Sequence, residues 1–357
     1  MCDQSKYIRT FVSDLIFFSK VINYKLHTLP NGLRVATSRD RNSKLAAVNL
    51  LYCVGARNEH PDHTGFAHLF EHLMFRGTRR IPDFDTPVQM ACGENNAFTN
   101  NDYTDFYITL PTANVETALW LESDRMTGLR LTPRKFEAEK RVVIEEYNQR
   151  YLNQPYGDQM MLARALHYRV HPYRWATIGL TPDHVAAATI AEAEAFYHRY
   201  YRPSNAILSI VGDLEEERAF ELAEKWFGGI ADEQFVADTL PVEPEQTEAR
   251  RLEVERDVPA TSITITFPMG DRHSRDFYLL DLVSDLLAGG ESARLYDELV
   301  RRRRLFGAVN AYITGDVDAG MFVMTGQVAP NVALAEAEAA LWDELRRLQT
   351  ERVGDYE

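Results

Sequence analysis

The sequence is poor in cysteine and has no long apolar run. Its 357 residues include three cysteines, Cys2, Cys53 and Cys92, and no two of them have a Cys-x-x-Cys spacing. This supports neither a disulfide framework nor a thiolate zinc site, and it favours a reducing compartment. A membrane-spanning helix needs about 18 consecutive apolar residues, and the sequence has no such run. We therefore do not expect an integral membrane protein.

Basic residues are also scarce. The chain has 39 Lys and Arg against 53 Asp and Glu, which gives a formal net charge of -14. Because nucleic-acid binding needs a basic face, this balance argues against a nucleic-acid partner. Four consecutive arginines at 301–304 have two interpretations: a polyanion-binding or localisation patch, or the solvated end of a helix, whose dipole favours cations. We prefer the second, because the arginines follow an apolar-periodic segment.

The length favours two domains. Residues 1–22 have no clear period and form a leader to which no role is assigned; its apolar patch at 15–18 is too short for the core of a signal peptide. We expect a catalytic domain over 23–237 and a second domain over 248–357. The linker between them, 238–247, contains Pro241 and Pro244 and has no apolar period. The expected location is the cytoplasm, or the periplasm if the natural N-terminus differs.

Alternating and periodic segments predict strands and helices in both domains. In the first, Asn31-Gly32 predicts a hairpin turn, and strands are expected over 45–54, 103–110 and 206–212. Turn-forming residues at 93–102 lead into the second of these strands, and Thr112 is the expected N-cap of the helix that follows it. The second domain repeats this order in shorter form, with strands over 262–267, 309–314 and 321–328 and helices over 277–287, 293–304 and 332–348.

The stretch His68-Leu69-Phe70-Glu71-His72 predicts a metal site. On a helix with about 100° per residue, His68, Glu71 and His72 share one face, and the apolar residues around them form an opposite, core-facing stripe. Two imidazoles four residues apart can bind one zinc ion, and the carboxylate can reach a zinc-bound water. This order of residues is the inverzincin motif. Surface residues on an amphipathic helix can match it by chance, so a third ligand is needed.

A second helix offers that ligand. It begins at residue 133, after Thr132 as N-cap, and it carries Glu139 and Glu146 seven residues apart. Two helical turns separate these carboxylates, so both lie on one face. An acidic helix with interspersed basic residues is also typical of a solvated surface. Only the motif upstream favours a ligand here.

Taken together, these stretches resemble the pitrilysin and mitochondrial-processing-peptidase family of inverzincin zinc peptidases. The resemblance covers nearly the whole chain from about residue 23. The matching segments, in order, are Leu29-Pro30-Asn31-Gly32-Leu33, the HxxEH motif with Met74-Phe75 and Gly77, Asn96-Ala97-x-Thr99 with Asp102-x-Thr104, Glu139 to Glu146, His171-Pro172-Tyr173, Tyr201-x-Pro203-x-Asn205-Ala206, and Val211-Gly212-Asp213.

The resemblance implies the fold and the metal ligands. The expected fold is α+β, with two similar domains that are each a mainly antiparallel sheet with helices packed on one face, the second domain being incomplete. One zinc ion per chain would be held by His68, His72 and Glu146, with Glu145 as the nearby alternative to Glu146. Glu139 would support the site as a carboxylate that orients a ligand.

The same resemblance implies a reaction and a mode of substrate binding. Glu71 would act as general base on a metal-bound water and then deliver the proton to the leaving amine. The strand predicted over 103–110, after Asn96, would be the edge strand to which an extended peptide adds by main-chain pairing, and Asn96 and Ala97 are the predicted contacts of that peptide. The expected function is a zinc endopeptidase acting on unfolded peptides. The alternative is a non-catalytic scaffold or peptide-binding subunit of the same fold.

One departure from the family concerns its second half, which carries an arginine and a tyrosine that clamp the substrate. Here Ala293-Arg294-Leu295 matches the helix that precedes them, but Arg304-Leu305-Phe306-Gly307-Ala308 has alanine where tyrosine is expected. This resembles the catalytic subunit of a two-subunit member. We therefore expect a homo- or heterodimer in which the partner subunit supplies the clamp.

Overall fold

A computed structural model describes residues 22–354, so the predicted leader, apart from Ile22, lies outside the described residues. The strands are β1 (Lys25–Thr28), β2 (Arg34–Arg39), β3 (Leu45–Tyr52), β4 (Glu94–Thr99), β5 (Thr104–Pro111), β6 (Ala206–Gly212), β7 (Ser262–Pro268), β8 (Phe306–Ile313) and β9 (Met321–Val328). The helices are α1 (Phe66–Leu73), α2 (Asp85–Met90), α3 (Val115–Gly128), α4 (Pro133–Tyr147), α5 (Gln159–His167), α6 (Pro182–Ala187), α7 (Ile190–Tyr200), α8 (Glu216–Phe227), α9 (Arg275–Ala288) and α10 (Leu334–Thr350).

The first sheet has six strands in the order β1-β2-β6-β3-β5-β4. The pairing of β2 with β6 is parallel, and the other pairings are antiparallel. Strand β3 buries every second residue, Ala46, Val48, Leu50 and Tyr52, because its alternation places them on one face. Helices α3 and α8 pack against the sheet and close the core. The α+β prediction with a mainly antiparallel sheet is confirmed.

Two local predictions for the first domain are wrong. Residues 94–99, assigned to a turn-rich stretch, form β4, which pairs with β5 at the edge of the sheet. An edge strand in a polar setting needs no apolar alternation. The polar residues Glu94-Asn95-Asn96 therefore give no strand signal in the sequence. Thr112 is not the N-cap of α3: it lies in a short 3₁₀ turn, its hydroxyl donates to the Lys44 carbonyl, and the helix begins at Val115.

The second sheet is smaller, with the order β7-β9-β8. Three consecutive strands of the first sheet have the same arrangement, because β3, β4 and β5 lie in the order β3-β5-β4. In both sheets, the last of the three strands in the chain lies between the other two. The second sheet has its own core around Leu287, Leu295 and Leu341. Its similar but shorter plan agrees with an incomplete second domain.

The segment around the four arginines is a π-helix, Tyr296–Arg302, which is shorter than the helix predicted over 293–304. The side chains of Arg301 and Arg302 are exposed and pair with Asp297. These contacts are those of a solvated helix end.

The two sheets are joined by a long stretch without helix or strand and by direct contacts. Residues 231–261, between α8 and β7, contain the predicted linker. Helix α5 packs against β7, where His167 Nδ1 lies 2.9 Å from the Thr266 hydroxyl. The domain boundaries themselves stay a prediction. Among residues 22–354, no helix combines the length and the apolar character that a bilayer span requires.

Candidate metal centre

Helix α1 is held by a buried apolar face. Phe66, Leu69, Phe70 and Leu73 are buried, and the Phe70 ring stacks on Phe196 of α7 with 5.3 Å between ring centroids. These positions recur at helical spacing, so they fix the rotation of the helix about its axis. The opposite face therefore presents the two histidines and the glutamate of the motif, as the sequence predicts.

The N-terminus of α1 is capped by Glu59, a residue outside the helix. Gly65 precedes the helix with φ of 90°, and the carboxylate of Glu59 accepts hydrogen bonds from Gly65 N and Ala67 N, each at 2.8 Å. Glu59 is buried, and burial raises its pKa to about 8, although the two backbone donors act in the opposite direction. A carboxylate here satisfies N–H groups that a helix start leaves free. Glu59 could not be identified from the sequence, because no local capping pattern spans the six residues to Gly65.

Helix α4 brings the carboxylates. The Thr132 hydroxyl accepts from Lys135 N and caps the helix, as predicted, and Pro133 opens its first turn. Phe136, Val143 and Tyr147 are buried, and α4 packs against α1. The face beside these apolar positions carries Glu139 and Glu146 toward the motif.

Three side chains converge between the two helices. Glu146 Oε2 lies 3.3 Å from His72 Nε2, and Glu146 Oε1 lies 3.7 Å from His68 Nε2. The candidate ligand atoms of these residues all lie within 4.8 Å of one another, and within residues 22–354 this is the single group of three His, Cys, Asp or Glu side chains with such spacing. Glu145, the alternative, is exposed and accepts a hydrogen bond from Gln149.

This donor set fits zinc. Two imidazoles and one carboxylate are a known ligand combination for catalytic zinc, which keeps a fourth position open. Burial, together with the nearby charges of His72 and Arg150, lowers the pKa of His68 to about 3, so its imidazole is neutral, the form that ligates metals. His68 Nδ1 is buried and has no hydrogen-bond partner among the described residues.

Glu139 lies behind His72. Its carboxylate is 2% exposed, with Oε2 at 3.6 Å from His72 Nδ1 and Oε1 at 2.6 Å from Arg76 Nε. Burial alone would lower the pKa of His72, but Glu139 and Glu146 outweigh it and the net shift is upward. Glu139 thus faces the ring nitrogen that points away from Glu146, where a carboxylate can orient a ligating histidine.

Arg150 is a neighbour that the sequence analysis did not identify. Its Nη1 lies 2.8 Å from Glu146 Oε1, one helical turn along the chain, and its side chain is largely exposed. Arg150 belongs to a π-helical turn, Asn148–Leu152, that follows α4 directly. Such turns are frequent at functional sites. The i, i+4 spacing of Glu146 and Arg150 was the available signal.

Glu71 stands beside the ligand group. It is half-buried, and burial is the main reason that its pKa is raised, while the Thr99 hydroxyl on β4 opposes the shift. The charges of His72, Glu146 and Arg150 also act on the Glu71 carboxylate. Its position between the ligands and β4 suits a group that exchanges protons with a water molecule.

The predicted substrate contacts lie on β4, at the open edge of the first sheet. Asn96 is exposed and Ala97 half-buried, and the Ala97 N–H donates to Asn96 Oδ1 at 2.9 Å. The strand expected to serve as this edge, 103–110, corresponds to β5, which is enclosed between β3 and β4. The edge strand is therefore β4, and it carries both residues.

Comparisons with known proteins agree with this arrangement. Residues 34–172 match the family described as "Insulinase (Peptidase family M16)" and residues 187–357 match "Peptidase M16 inactive domain". The chain is 33% identical over 331 residues to the zinc protease PqqE of Helicobacter pylori, covering 90% of this chain and 74% of that protein. It is 25% identical over 313 residues to an uncharacterized zinc protease of Streptomyces coelicolor, covering 83% of this chain and 65% of that one.

Solved structures give the same result. A protease from Helicobacter pylori superposes with a TM-score of 0.88 at 30% identity, covering 94% of this chain and 82% of that one. Pitrilysin superposes with a TM-score of 0.70 at 18% identity, covering 94% of this chain and 37% of that one. The second likeness concerns the fold alone.

Proposed function

Because this chain belongs to peptidase family M16, we propose that it is a zinc-dependent endopeptidase that hydrolyses unfolded peptides or protein segments. The observation that carries the proposal is the convergence of His68 and His72 from α1 with Glu146 from α4. Seventy-four residues separate His72 from Glu146 along the chain, so only the packing of the two helices brings them together. A zinc ion would be held by these three side chains, one ion per chain.

The residues of the chain divide the chemistry between them. When bound, zinc would act as a Lewis acid toward a peptide carbonyl and would lower the pKa of a water molecule. The Glu71 carboxylate accepts a proton from the attacking water and donates it to the amine that leaves. Glu139 holds His72 in the orientation that presents Nε2 to the ligand group.

The substrate would bind as an added strand on β4. Main-chain pairing at an open edge depends little on side-chain identity, which suits a site for unfolded segments. In the free protein the Ala97 N–H is bonded to Asn96 Oδ1, so an incoming peptide carbonyl would replace that side chain. Asn96 and Ala97 are accordingly the proposed substrate contacts.

A partner subunit belongs to the same proposal. Position 308 on β8 is alanine, where the resemblance predicts the clamping tyrosine. We propose a homo- or heterodimer whose other subunit supplies an arginine and a tyrosine, acting in the cytoplasm or, with a different natural N-terminus, in the periplasm. The isolated chain is then expected to cleave peptides weakly.

Cleavage of a quenched peptide library tests the proposal. The purified chain is loaded with zinc, its metal content is measured, and cleavage is followed alone and with a candidate partner, before and after a chelator. We expect cleavage that the chelator abolishes, that added zinc restores, and that the partner increases. A zinc-loaded protein that binds peptides without cleaving them, alone and with partner, would favour the scaffold instead.

A further inference from the structure

A loop of the second sheet reaches across to the first domain. The β8–β9 loop, residues 314–320, forms three hydrogen bonds with the first domain, two through backbone N–H groups and one through a side chain. Val317 N donates to Asp102 Oδ2 at 2.9 Å, and Asp318 N donates to the Tyr173 hydroxyl at 3.0 Å. Asp316 Oδ1 accepts from Asn101 Nδ2 at 2.6 Å. Two of these contacts join residues 215 positions apart, and the third joins residues 145 positions apart.

Asp102 is the centre of this contact. It is 4% exposed, and its Oδ1 accepts a short hydrogen bond from the Tyr173 hydroxyl and lies 2.9 Å from Arg57 Nη1. Together with Val317 N on Oδ2, the donors come from three separate segments of the chain. A buried carboxylate with all its donors in place fixes the segments relative to one another. We name Arg57, Asp102, Tyr173 and the β8–β9 loop the interdomain cluster.

Arg57 completes the connection between the two sheets. Its Nη1 lies 2.9 Å from Asp102 Oδ1 and 3.1 Å from Asp318 Oδ2, so one guanidinium bridges an acid of each domain. The side chain is mostly buried. Removal of one member from such a cluster leaves buried polar groups without partners, which costs more than the loss of an exposed ion pair.

The cluster is linked to α1 by the chain that leaves Arg57. Arg57 lies in a 3₁₀ turn, Ala56–Asn58, whose Ala56 carbonyl accepts from Trp175 Nε1 at 3.0 Å. Glu59 directly follows this turn, and its carboxylate accepts hydrogen bonds from the N–H groups of Gly65 and Ala67 at the start of α1. A shift of the turn would therefore be passed to the helix that carries the histidines.

The cluster is linked to β4 through the hairpin turn. Asn101 and Asp102 lie between β4 and β5, and Ala56 N and Arg57 N donate to the Asn100 and Asn101 carbonyls. A side chain at position 55 would clash here, because a Cβ on Gly55 would lie 2.5 Å from the Asn101 carbonyl carbon. The turn of the β4 hairpin is thus packed directly on the segment that leads to α1.

We propose that the second domain positions the metal centre and the edge strand through the interdomain cluster, with Asp102 as the positioning residue. The expected effect on peptide cleavage rests on the proposed function, whereas the expected effects on hydrogen exchange and zinc affinity do not. The half of the chain that lacks metal ligands thereby sets the geometry of the half that has them.

Two variants test this. Asp102→Asn keeps the shape of the side chain but removes its negative charge. It also replaces one carboxylate oxygen, a hydrogen-bond acceptor, by an NH₂ group that can only donate. Tyr173→Phe removes a single buried hydroxyl, which bridges Asp102 and Asp318 N, and it serves if the first variant folds poorly. Asp232→Asn is the matched control, because the Asp232 side chain is as buried as that of Asp102, accepts from Ser204 N and pairs with Arg202 of the first domain.

Three quantities are measured on each full-length variant: zinc dissociation by competition with a chelating dye, amide hydrogen exchange, and peptide cleavage. For Asp102→Asn and Tyr173→Phe we expect faster exchange over 56–67 and 94–103, zinc affinity lower by about threefold or more, and kcat lower by about tenfold. Asp232→Asn should leave all three within about twofold, although its melting temperature, followed by thermal unfolding of every variant, should fall by a comparable amount.

The inference is overturned if both cluster variants leave exchange at α1 and β4 and zinc affinity unchanged, or if Asp232→Asn alters them equally. Exchange and zinc affinity do not require peptidase activity. A chain without peptidase activity would therefore contradict the proposed function and leave these two measurements as the test of the cluster.

Discussion

At the scale of single residues, Arg150 and the proposed zinc ion compete for the carboxylate of Glu146. Glu146 Oε1 is 2.8 Å from Arg150 Nη1 and 3.7 Å from His68 Nε2, so the arginine pairs with an oxygen that could ligate zinc. Arg150 acts against metal binding twice, by pairing with Glu146 and by adding positive charge near the ion. Its exposure keeps both effects small.

Replacement of Arg150 by alanine should therefore tighten zinc binding. An exposed ion pair contributes about 0.2–1 kcal/mol, which corresponds to an affinity increase of up to about fivefold. Competition with a chelating dye measures it. The control is Arg141→Ala, which removes an exposed arginine of α4 and should leave zinc affinity unchanged. Weaker zinc binding in Arg150→Ala would show that the arginine supports the site.

Single residues were predictable where spacing alone determines their direction. The positions of His68, Glu71 and His72 on one face follow from helical periodicity, and the seven-residue spacing of Glu139 and Glu146 follows from the same rule. Arg76 and Glu59 were not predictable in this way. Their roles depend on which side chain lies opposite in space, and no periodicity encodes that.

At the scale of elements, α1 is a short helix whose direction is fixed by the residue that precedes it, Gly65. Gly65 has φ of 90°, and a Cβ there would lie 2.7 Å from the Ile178 carbonyl oxygen. The left-handed backbone and the close approach both require glycine. Edge strand β4 is the opposite case, since its polar sequence predicts turns and only pairing with β5 makes it a strand.

Gly65→Ala should weaken both folding and metal binding. Left-handed backbone at a non-glycine residue costs about 1–3 kcal/mol, and the clash displaces the start of α1. We expect the free energy of unfolding to fall by about 2 kcal/mol, measured by denaturant titration, and zinc affinity to fall with it. Gly229→Ala is the control, because no atom lies within 4 Å of its Cβ position. Equal stability of the two variants would contradict this account.

At the scale of the whole molecule, the second sheet repeats the order of three strands of the first sheet, but the candidate metal ligands all lie in the first domain. The sequence predicted the repetition, because strands and helices recur in the same order in both halves. It could not predict the interdomain cluster, since residues such as Asp102 and Val317 are 215 positions apart and carry no mutual signal. Long-range polar contacts of this kind are visible only in the folded chain.

The contact between α5 and β7 should make stability depend on pH. Burial lowers the pKa of His167 to about 4, although Glu243 acts against the shift, so the folded protein holds this imidazole neutral. The unfolded chain binds a proton near the ordinary histidine pKa of about 6.5. The stabilisation from His167 is therefore present above pH 6.5 and lost as pH falls toward 4.

His167→Gln isolates this effect. The free energy of unfolding of the wild type, minus that of the variant, should decrease by about 3 kcal/mol between pH 7 and pH 4. Denaturant titration at each pH measures it. The difference removes the contribution of carboxylates that titrate in the same range. A difference that stays constant with pH would show that His167 is solvated in the folded protein.

The most direct test of the central claim is the Glu71→Gln variant, assayed for zinc content and for peptide cleavage beside the wild type. The substitution keeps the shape of the side chain and removes its ability to accept a proton. We predict full zinc occupancy and a loss of cleavage of about 10²–10⁴-fold, the contribution of a general base. A zinc-loaded Glu71→Gln protein that cleaves peptides at the wild-type rate would contradict the account.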